Sequence, residues 1–135
     1  MALFYDLPKY DVETAETIVS CVRKYMSLIG LDSWQVKVEF TVPDEVEDVV
    51  PAATCLPSAE YFMAELGFDL DYFRRHPDQT EGYVRHELLH CIVRPLAQTA
   101  WNLGAEEKTI RFFEELVTSQ LDRMPVWDIV ESEEE

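Results

Sequence analysis

The segment that most constrains the fold is residues 83–96, in which apolar residues occur on almost every side of an expected helix. A helix that is apolar all round is buried in the middle of a domain, so the segment predicts a central helix. His86, Glu87 and His90 lie within this helix, and buried polar groups of this kind need partners. Pro95 removes a helical hydrogen bond and is expected to kink or end the helix.

The spacing of the two histidines predicts a metal site. His86 and His90 are four residues apart, so their imidazoles lie on one face of the helix, about one turn apart. Two imidazoles in this arrangement can bind one Zn²⁺ ion. Glu87, one position further round the helix, could then deprotonate a water molecule held by the metal.

A catalytic zinc ion takes a third protein ligand and keeps a fourth position for water. No histidine follows His90, so a carboxylate is the expected third ligand. Residues 102–104 predict a turn, after which a last helix is expected over about residues 105–124. If the two helices pack antiparallel, the turn lies midway between His90 and residue 114. Glu114 or Glu115 would then lie level with His90.

Helical periodicity favours Glu114 over Glu115 as the ligand. The apolar stripe of the last helix consists of Ile110, Phe113, Val117 and Leu121. Glu114 lies within this stripe, where a carboxylate is costly unless it is paired or bound to metal. Glu115 lies on the solvated side of the helix, which it shares with Arg111, Ser119 and Asp122. The alternative for Glu114 is an ion pair with Arg94 or Arg111.

The remaining pattern predicts a small α+β domain that spans residues 1–130. Apolar residues at helical spacing predict a first helix over residues 12–29, with Asp11 as its N-cap and Gly30 at its end. A sheet of about three strands follows from alternating or short apolar segments. The expected strands are residues 34–42, 52–56 and 61–68, and a short helix is expected over residues 69–75. For residues 61–68 a helix is the alternative, because residues 63–66 are good helix formers.

For several single side chains the sequence predicts only whether they lie in the core or at the surface. Four aromatic residues are expected in the core: Trp34, Trp101, Phe112 and Phe113. The pair Arg74-Arg75 is expected to be surface charge, and His76 to be an exposed loop histidine.

Charge and cysteine content exclude several classes of function. The chain has 11 basic and 27 acidic residues and a net charge of −16, so binding to nucleic acid or to an anionic membrane is not expected. Residues 44–50 predict an acidic loop, and residues 131–135 predict an acidic, disordered tail. The three cysteines form no C-x-x-C pair, and neither a signal peptide nor a membrane-spanning run is present. These features predict a cytoplasmic protein with reduced thiols. Nothing in the sequence indicates an oligomeric state.

The motif residues resemble those of a known group of enzymes. Residues 83–90, together with residues 92–96 and 114–117, resemble the gluzincins, zinc metallopeptidases whose third ligand is a glutamate on a following helix. The chain looks most like the small single-domain proteins assigned as metallopeptidases in phage and prophage genomes. Metzincins are excluded, because Val93 stands where their pattern requires glycine. The DNA-repair proteases of the SprT type usually add a zinc ribbon or a basic surface, which this sequence lacks.

The resemblance implies a minimal zincin-like fold in which His86, His90 and Glu114 bind one Zn²⁺ ion. It implies that Glu87 acts as general base and later as proton donor, and that the enzyme hydrolyses a peptide or protein substrate in the host cytoplasm. The substrate would lie on the strand nearest the motif, expected at residues 61–68.

Two alternatives accompany this resemblance. Larger gluzincins use a downstream histidine or tyrosine against the oxyanion, but no such residue follows His90. The remaining candidates for that role are Tyr61, Tyr72, His76 and Tyr83. The alternative function is a catalytically weak or inactive zincin-like protein that acts as a protein-interaction module.

Overall fold

Alternation along the strands determines which face of the sheet is buried. In the computed structural model, which describes residues 2–42, 51–58, 61–104 and 106–123, Val36 and Val38 are buried, whereas Lys37 and Glu39 between and beyond them are exposed. The helices pack on the buried face. The elements, in chain order, are β1 (Ala2–Tyr5), α1 (Val12–Ile29), β2 (Gln35–Thr41), β3 (Ala53–Ser58), β4 (Met63–Asp69), α2 (Leu70–Arg75), a short 3-10 helix (Pro77–Gln79), α3 (Thr80–Asn102) and α4 (Glu107–Asp122).

This arrangement confirms the predicted α+β class, with one more strand than expected. The described residues form one four-stranded sheet in the order β1-β2-β4-β3. β1 and β2 run parallel, as do β2 and β4, whereas β3 is antiparallel to β4. The sequence did not predict β1, because four residues are too few for a strand period to be recognised.

The position of β4 corrects one prediction. Residues 61–68 were expected to form an exposed edge, but β4 pairs with β2 on one side and with β3 on the other. Its backbone groups are therefore already used in the sheet. Within the described sheet the edge nearest the motif helix is β3, which packs against α3.

The first helix follows the prediction closely. The Asp11 side chain accepts a hydrogen bond of 3.1 Å from the backbone N–H of Thr14 and so caps α1. Gly30 ends the helix with a φ of 90°, a left-handed conformation that glycine adopts without strain. The apolar face of α1 is buried against the sheet and α3.

The motif helix is longer and less buried than its sequence predicts. α3 continues through Pro95 to Asn102, so the proline does not end it. Ile92 and Leu96 are exposed, which corrects the expectation of a helix buried on every side. The helix then turns at Gly104, whose φ is 92°, and α4 returns antiparallel along α3 as the turn signal predicted.

The exposed aromatic residues correct a further prediction. Trp34 is buried, but Trp101, Phe112 and Phe113 are 49%, 70% and 46% exposed. The two phenylalanines point away from α3, because the face of α4 that packs on α3 carries carboxylates. Arg74 and Arg75 are exposed, as expected.

Several predictions concern the ends and thiols of the chain. The expected acidic loop at residues 44–50 and the tail at residues 131–135 lie outside the described residues. Cys21, Cys55 and Cys91 are free thiols; Cys21 and Cys91 are buried, whereas Cys55 is only partly buried. Among the helices that the structure describes, none combines the length and the apolar character needed to cross a membrane.

Candidate metal centre

Two helices bring three potential metal ligands together. His86 and His90 project from successive turns of α3, with their ring centroids 5.2 Å apart. Glu115 approaches them from α4. One ligand atom from each of the three residues lies within 4.8 Å of the others.

Both histidines present the same ring nitrogen to this carboxylate. Nε2 of His86 lies 2.9 Å from Oε1 of Glu115, and Nε2 of His90 lies 3.4 Å from Oε2 of Glu115. The two Nε2 atoms and the carboxylate therefore converge on one point between α3 and α4.

Glu114, which the sequence favoured as the third ligand, lies outside this group. Nε and Nη2 of Arg94 donate hydrogen bonds of 2.5 and 3.3 Å to the two carboxylate oxygens of Glu114. The carboxylate also lies 3.3 Å from Nδ1 of His90, on the side of the ring opposite Glu115. The Arg94 pair was the alternative that the sequence left open for Glu114.

Asp122 occupies the corresponding position beside the other histidine. Its Oδ2 lies 3.9 Å from Nδ1 of His86, and its Oδ1 accepts a hydrogen bond of 2.6 Å from Nε of Arg85. The guanidinium of Arg85 lies over the ring of Tyr25 on α1, 5.8 Å from its centroid. Each histidine thus faces, through Nδ1, a carboxylate that is itself held by an arginine. Carboxylates in this position orient metal-ligating imidazoles and raise their basicity.

Burial shifts the acidity of the site. It raises the pKa of Glu87 to about 7; nearby Glu115 also raises it, whereas His86 lowers it. Burial lowers the pKa of His90, and the carboxylates of Glu114 and Glu115 act in the opposite direction. A neutral imidazole is the form that binds metal, so the environment of His90 favours the ligand form.

Glu87 lies on the side of α3 that faces the edge strand. The pKa of the Cys55 thiol, on β3, is raised by its hydrogen bond with Cys91, by burial and by the nearby negative charge of Glu87. Cys91 is one turn beyond Glu87 on the same face of α3. The carboxylate of Glu87 is therefore near enough to β3 for its charge to act on Cys55.

One of the four tyrosine and histidine candidates for an oxyanion partner shares a cavity with His86. Tyr83 lines a cavity of about 380 Å³ together with His86 and Asp122. Tyr72 packs on the ring of His76, with centroids 4.6 Å apart, and Tyr61 is largely exposed. The hydroxyl of Tyr83 lies 3.4 Å from that of Tyr72.

The residues present fit a zinc ion. Two imidazole nitrogens and one carboxylate oxygen are a ligand set of catalytic zinc sites. Among the described residues, the seam between α3 and α4 contains the carboxylates of Glu114, Glu115 and Asp122 and the guanidinium groups of Arg85 and Arg94. Since carboxylates outnumber the cations, a divalent cation would offset the excess negative charge.

Sequence reasoning did not single out Asp122, and it favoured Glu114, whereas the structure groups Glu115 with the two histidines. The rule that placed residues 114 and 115 level with His90 also places residue 122 level with His86, because their midpoint is Gly104 in the turn. That signal was available, but Asp122 was grouped with the solvated side of the last helix.

No protein-family model matches this chain, and a search of curated proteins finds no significant match. The functional assignment therefore depends on the chemistry and geometry of the site itself.

Proposed function

We propose that the protein is a zinc-dependent metallopeptidase of the gluzincin type, in which His86, His90 and Glu115 bind one Zn²⁺ ion. The convergence of both Nε2 atoms on the Glu115 carboxylate carries this proposal. The carboxylates of Glu114 and Asp122, which lie 3.3 and 3.9 Å from the Nδ1 atoms of His90 and His86, support it further, because metal-binding imidazoles commonly have a carboxylate on that side of the ring.

Bound zinc supplies a Lewis acid that polarises a substrate carbonyl and makes water more acidic. Glu87 accepts the proton of the attacking water and returns it to the leaving amine. The partial burial of Glu87 beside β3 keeps this carboxylate next to the proposed substrate path.

The proposed substrate is a peptide or an extended segment of a protein. β3 (Ala53–Ser58) is an edge strand on the same side of α3 as Glu87, and an extended peptide can add to such an edge through backbone hydrogen bonds. Of the candidate donors to the oxyanion of the reacting carbonyl, Tyr83 is the one that shares a cavity with His86.

The substitution Glu87→Gln tests this function. Cleavage of a mixture of unstructured peptides by the zinc-loaded protein should fall by about 10²–10⁴-fold, because a general base is lost. Zinc content should stay at the wild-type level, because Glu87 is not among the proposed ligands. Glu65→Gln, an exposed residue of β4, is the matched control and should leave cleavage unchanged. Equal cleavage by wild type and Glu87→Gln would exclude the proposed base.

A zincin-like interaction module is the second candidate function. Phe112, Phe113 and Leu116 are exposed together on α4, which favours a protein contact on that side. Zinc binding without any peptide cleavage by the wild-type protein would favour this second function.

A further inference from the structure

The described part of α4 buries one side chain completely, and that side chain is polar. Thr118 is 0% exposed, and its hydroxyl oxygen has no hydrogen-bond partner among the residues that the structure describes. Buried polar groups are almost always hydrogen-bonded, because a buried group without a partner has lost its hydration and gained nothing in return. The unpaired hydroxyl of Thr118 therefore requires an explanation.

The usual partner of a threonine hydroxyl inside a helix is the backbone carbonyl four residues earlier. Thr17 of α1 and Thr99 of α3 make this bond, at 3.0 and 2.9 Å. Thr118 does not make it, although its position within α4 supplies a carbonyl at the same spacing. The hydroxyl of Thr118 is thus left for a group other than the backbone of its own helix.

Thr118 lies in the seam between α3 and α4, level with the candidate metal centre. It is three residues after Glu115 and four before Asp122, so it lies about one turn from each on the same face of α4. From that face Glu115 reaches both histidines, and Asp122 reaches His86. Since α4 packs mainly against α3, the complete burial of Thr118 places it against the turn of α3 that carries His86 and His90.

One carboxylate of this seam has no arginine or lysine to hold it. Arg94 donates hydrogen bonds to Glu114, and Arg85 donates one to Asp122. Among the described residues, Glu115 forms its ion pairs with the two histidine rings alone. Glu115 is therefore the carboxylate of the seam that a further donor would help to hold.

Metal binding changes what Glu115 needs. Its two carboxylate oxygens lie 2.9 and 3.4 Å from Nε2 of His86 and of His90. As a zinc ligand, Glu115 would give one oxygen to the ion, and its other oxygen would then need a hydrogen-bond donor, because ligating carboxylates are themselves hydrogen-bonded. The side chain of Thr118, three residues further along α4, is a neighbour on the helix surface and supplies such a donor.

We propose that Thr118 is a positioning residue of the metal centre, and that its hydroxyl donates a hydrogen bond to the carboxylate of Glu115 when that carboxylate binds zinc. This inference rests on the proposed zinc site and adds a residue that holds one of its ligands. It also explains the buried hydroxyl: the group destabilises the fold while it is unpaired and gains its partner when the ion binds.

The zinc affinity of Thr118→Val, measured by competition with a chelating dye, tests the inference. The substitution keeps the shape of the side chain and removes the donor, so affinity should fall by about 10–100-fold, the usual effect of losing a group that holds a metal ligand. Thr118→Ser keeps a hydroxyl and should retain most of the affinity. Thr109→Val, the same substitution at an exposed position of α4, is the matched control and should bind zinc as the wild type does.

Unfolding with and without zinc separates this role from a purely structural one. In the presence of a chelator, Thr118→Val should be at least as stable to urea as the wild type, because it has lost an unpaired polar group. In excess zinc the order should reverse, because the variant binds the ion less tightly and gains less stability from it. A lower stability of Thr118→Val under both conditions would point to a structural role and contradict the inference.

A double-mutant cycle with Glu115→Gln identifies the partner of the hydroxyl. If Thr118 acts through Glu115, Thr118→Val should have little further effect on zinc affinity in the Glu115→Gln background. An equal loss of affinity in both backgrounds would show that the hydroxyl acts on another group, and the inference would fail.

Failure of the inference is distinguishable from failure of the metal centre. If the wild type binds zinc tightly and Thr118→Val binds it equally well, the metal centre stands and Thr118 has no part in it. If the wild type binds no zinc, the proposed site fails and the role of Thr118 fails with it.

Discussion

The two sides of α3 are held by different forces. The side that faces α1 and the sheet buries apolar residues completely, among them Val84, Leu88 and Cys91. The side that faces α4 contains the histidine pair and the ion pairs that end on Arg85 and Arg94. Within the described part of α4, Thr118 is the one side chain that is buried completely.

This difference explains how α4 is oriented. Apolar burial depends on area and has little directional preference, whereas charge-assisted hydrogen bonds fix both distance and angle. Glu114, Glu115 and Asp122 each reach a partner on α3, so these contacts determine the rotation of α4 about its own axis. As a consequence Phe112 and Phe113 are left in solvent.

The largest expected difference between the two sides is in stability. Leu88→Ala should lower the free energy of unfolding by about 2–5 kcal/mol, because it opens a cavity in the core. The same substitution at Leu116, which is half exposed on α4, should change it by no more than about 0.5 kcal/mol. Urea denaturation of the two variants measures both values. Similar losses would mean that α4 is held by apolar packing after all.

An intermediate loss of stability is expected when an ion pair between α3 and α4 is removed. Arg94→Ala leaves the nearly buried carboxylate of Glu114 without its cation and should cost about 1–3 kcal/mol of stability. The exposed pair of Arg111 with Glu107 is the control, and Arg111→Ala should cost only about 0.3–0.5 kcal/mol. Thermal unfolding compares the two. Equal costs would show that the Arg94 pair is as solvated as the surface pair.

The smallest expected effect concerns Thr118. Its hydroxyl is buried and has no hydrogen-bond partner among the residues that the structure describes. Thr118→Val keeps the shape and removes the unpaired polar group, so stability should rise by about 1 kcal/mol or less. Thr109→Val, at an exposed position of α4, is the control and should be close to neutral. A clear loss of stability at Thr118 would mean that the hydroxyl has a partner that holds it.

Most of the fold could be predicted from local patterns. Residues 12–29 combine an N-cap, a helical apolar period and a terminal glycine, and the structure begins and ends α1 there. Residues 34–42 alternate strictly, and β2 occupies their middle. Strand order was not predictable, because pairing partners depend on contacts distant in the chain. This is why β4 was expected at an edge.

The candidate site could be predicted only in outline. Equal distances from the turn correctly placed Glu114 and Glu115 level with His90, because that rule depends only on an antiparallel helix pair. The choice between them depended on the assumption that an apolar stripe faces the neighbouring helix. That assumption fails at this seam, where polar contacts decide the rotation of α4, as is common at functional sites.

Zinc binding by the wild-type protein and by two neighbouring variants tests the central claim most directly. Wild type should bind one equivalent of Zn²⁺ tightly. Glu114→Gln should weaken affinity by about 10–100-fold, as loss of a group that orients a ligand does, and Glu115→Gln should weaken it further by removing a ligand itself. Failure of the wild-type protein to bind zinc would contradict the metal centre. Tight binding by Glu115→Gln, combined with its loss in Glu114→Gln, would show that Glu114 is the ligand instead.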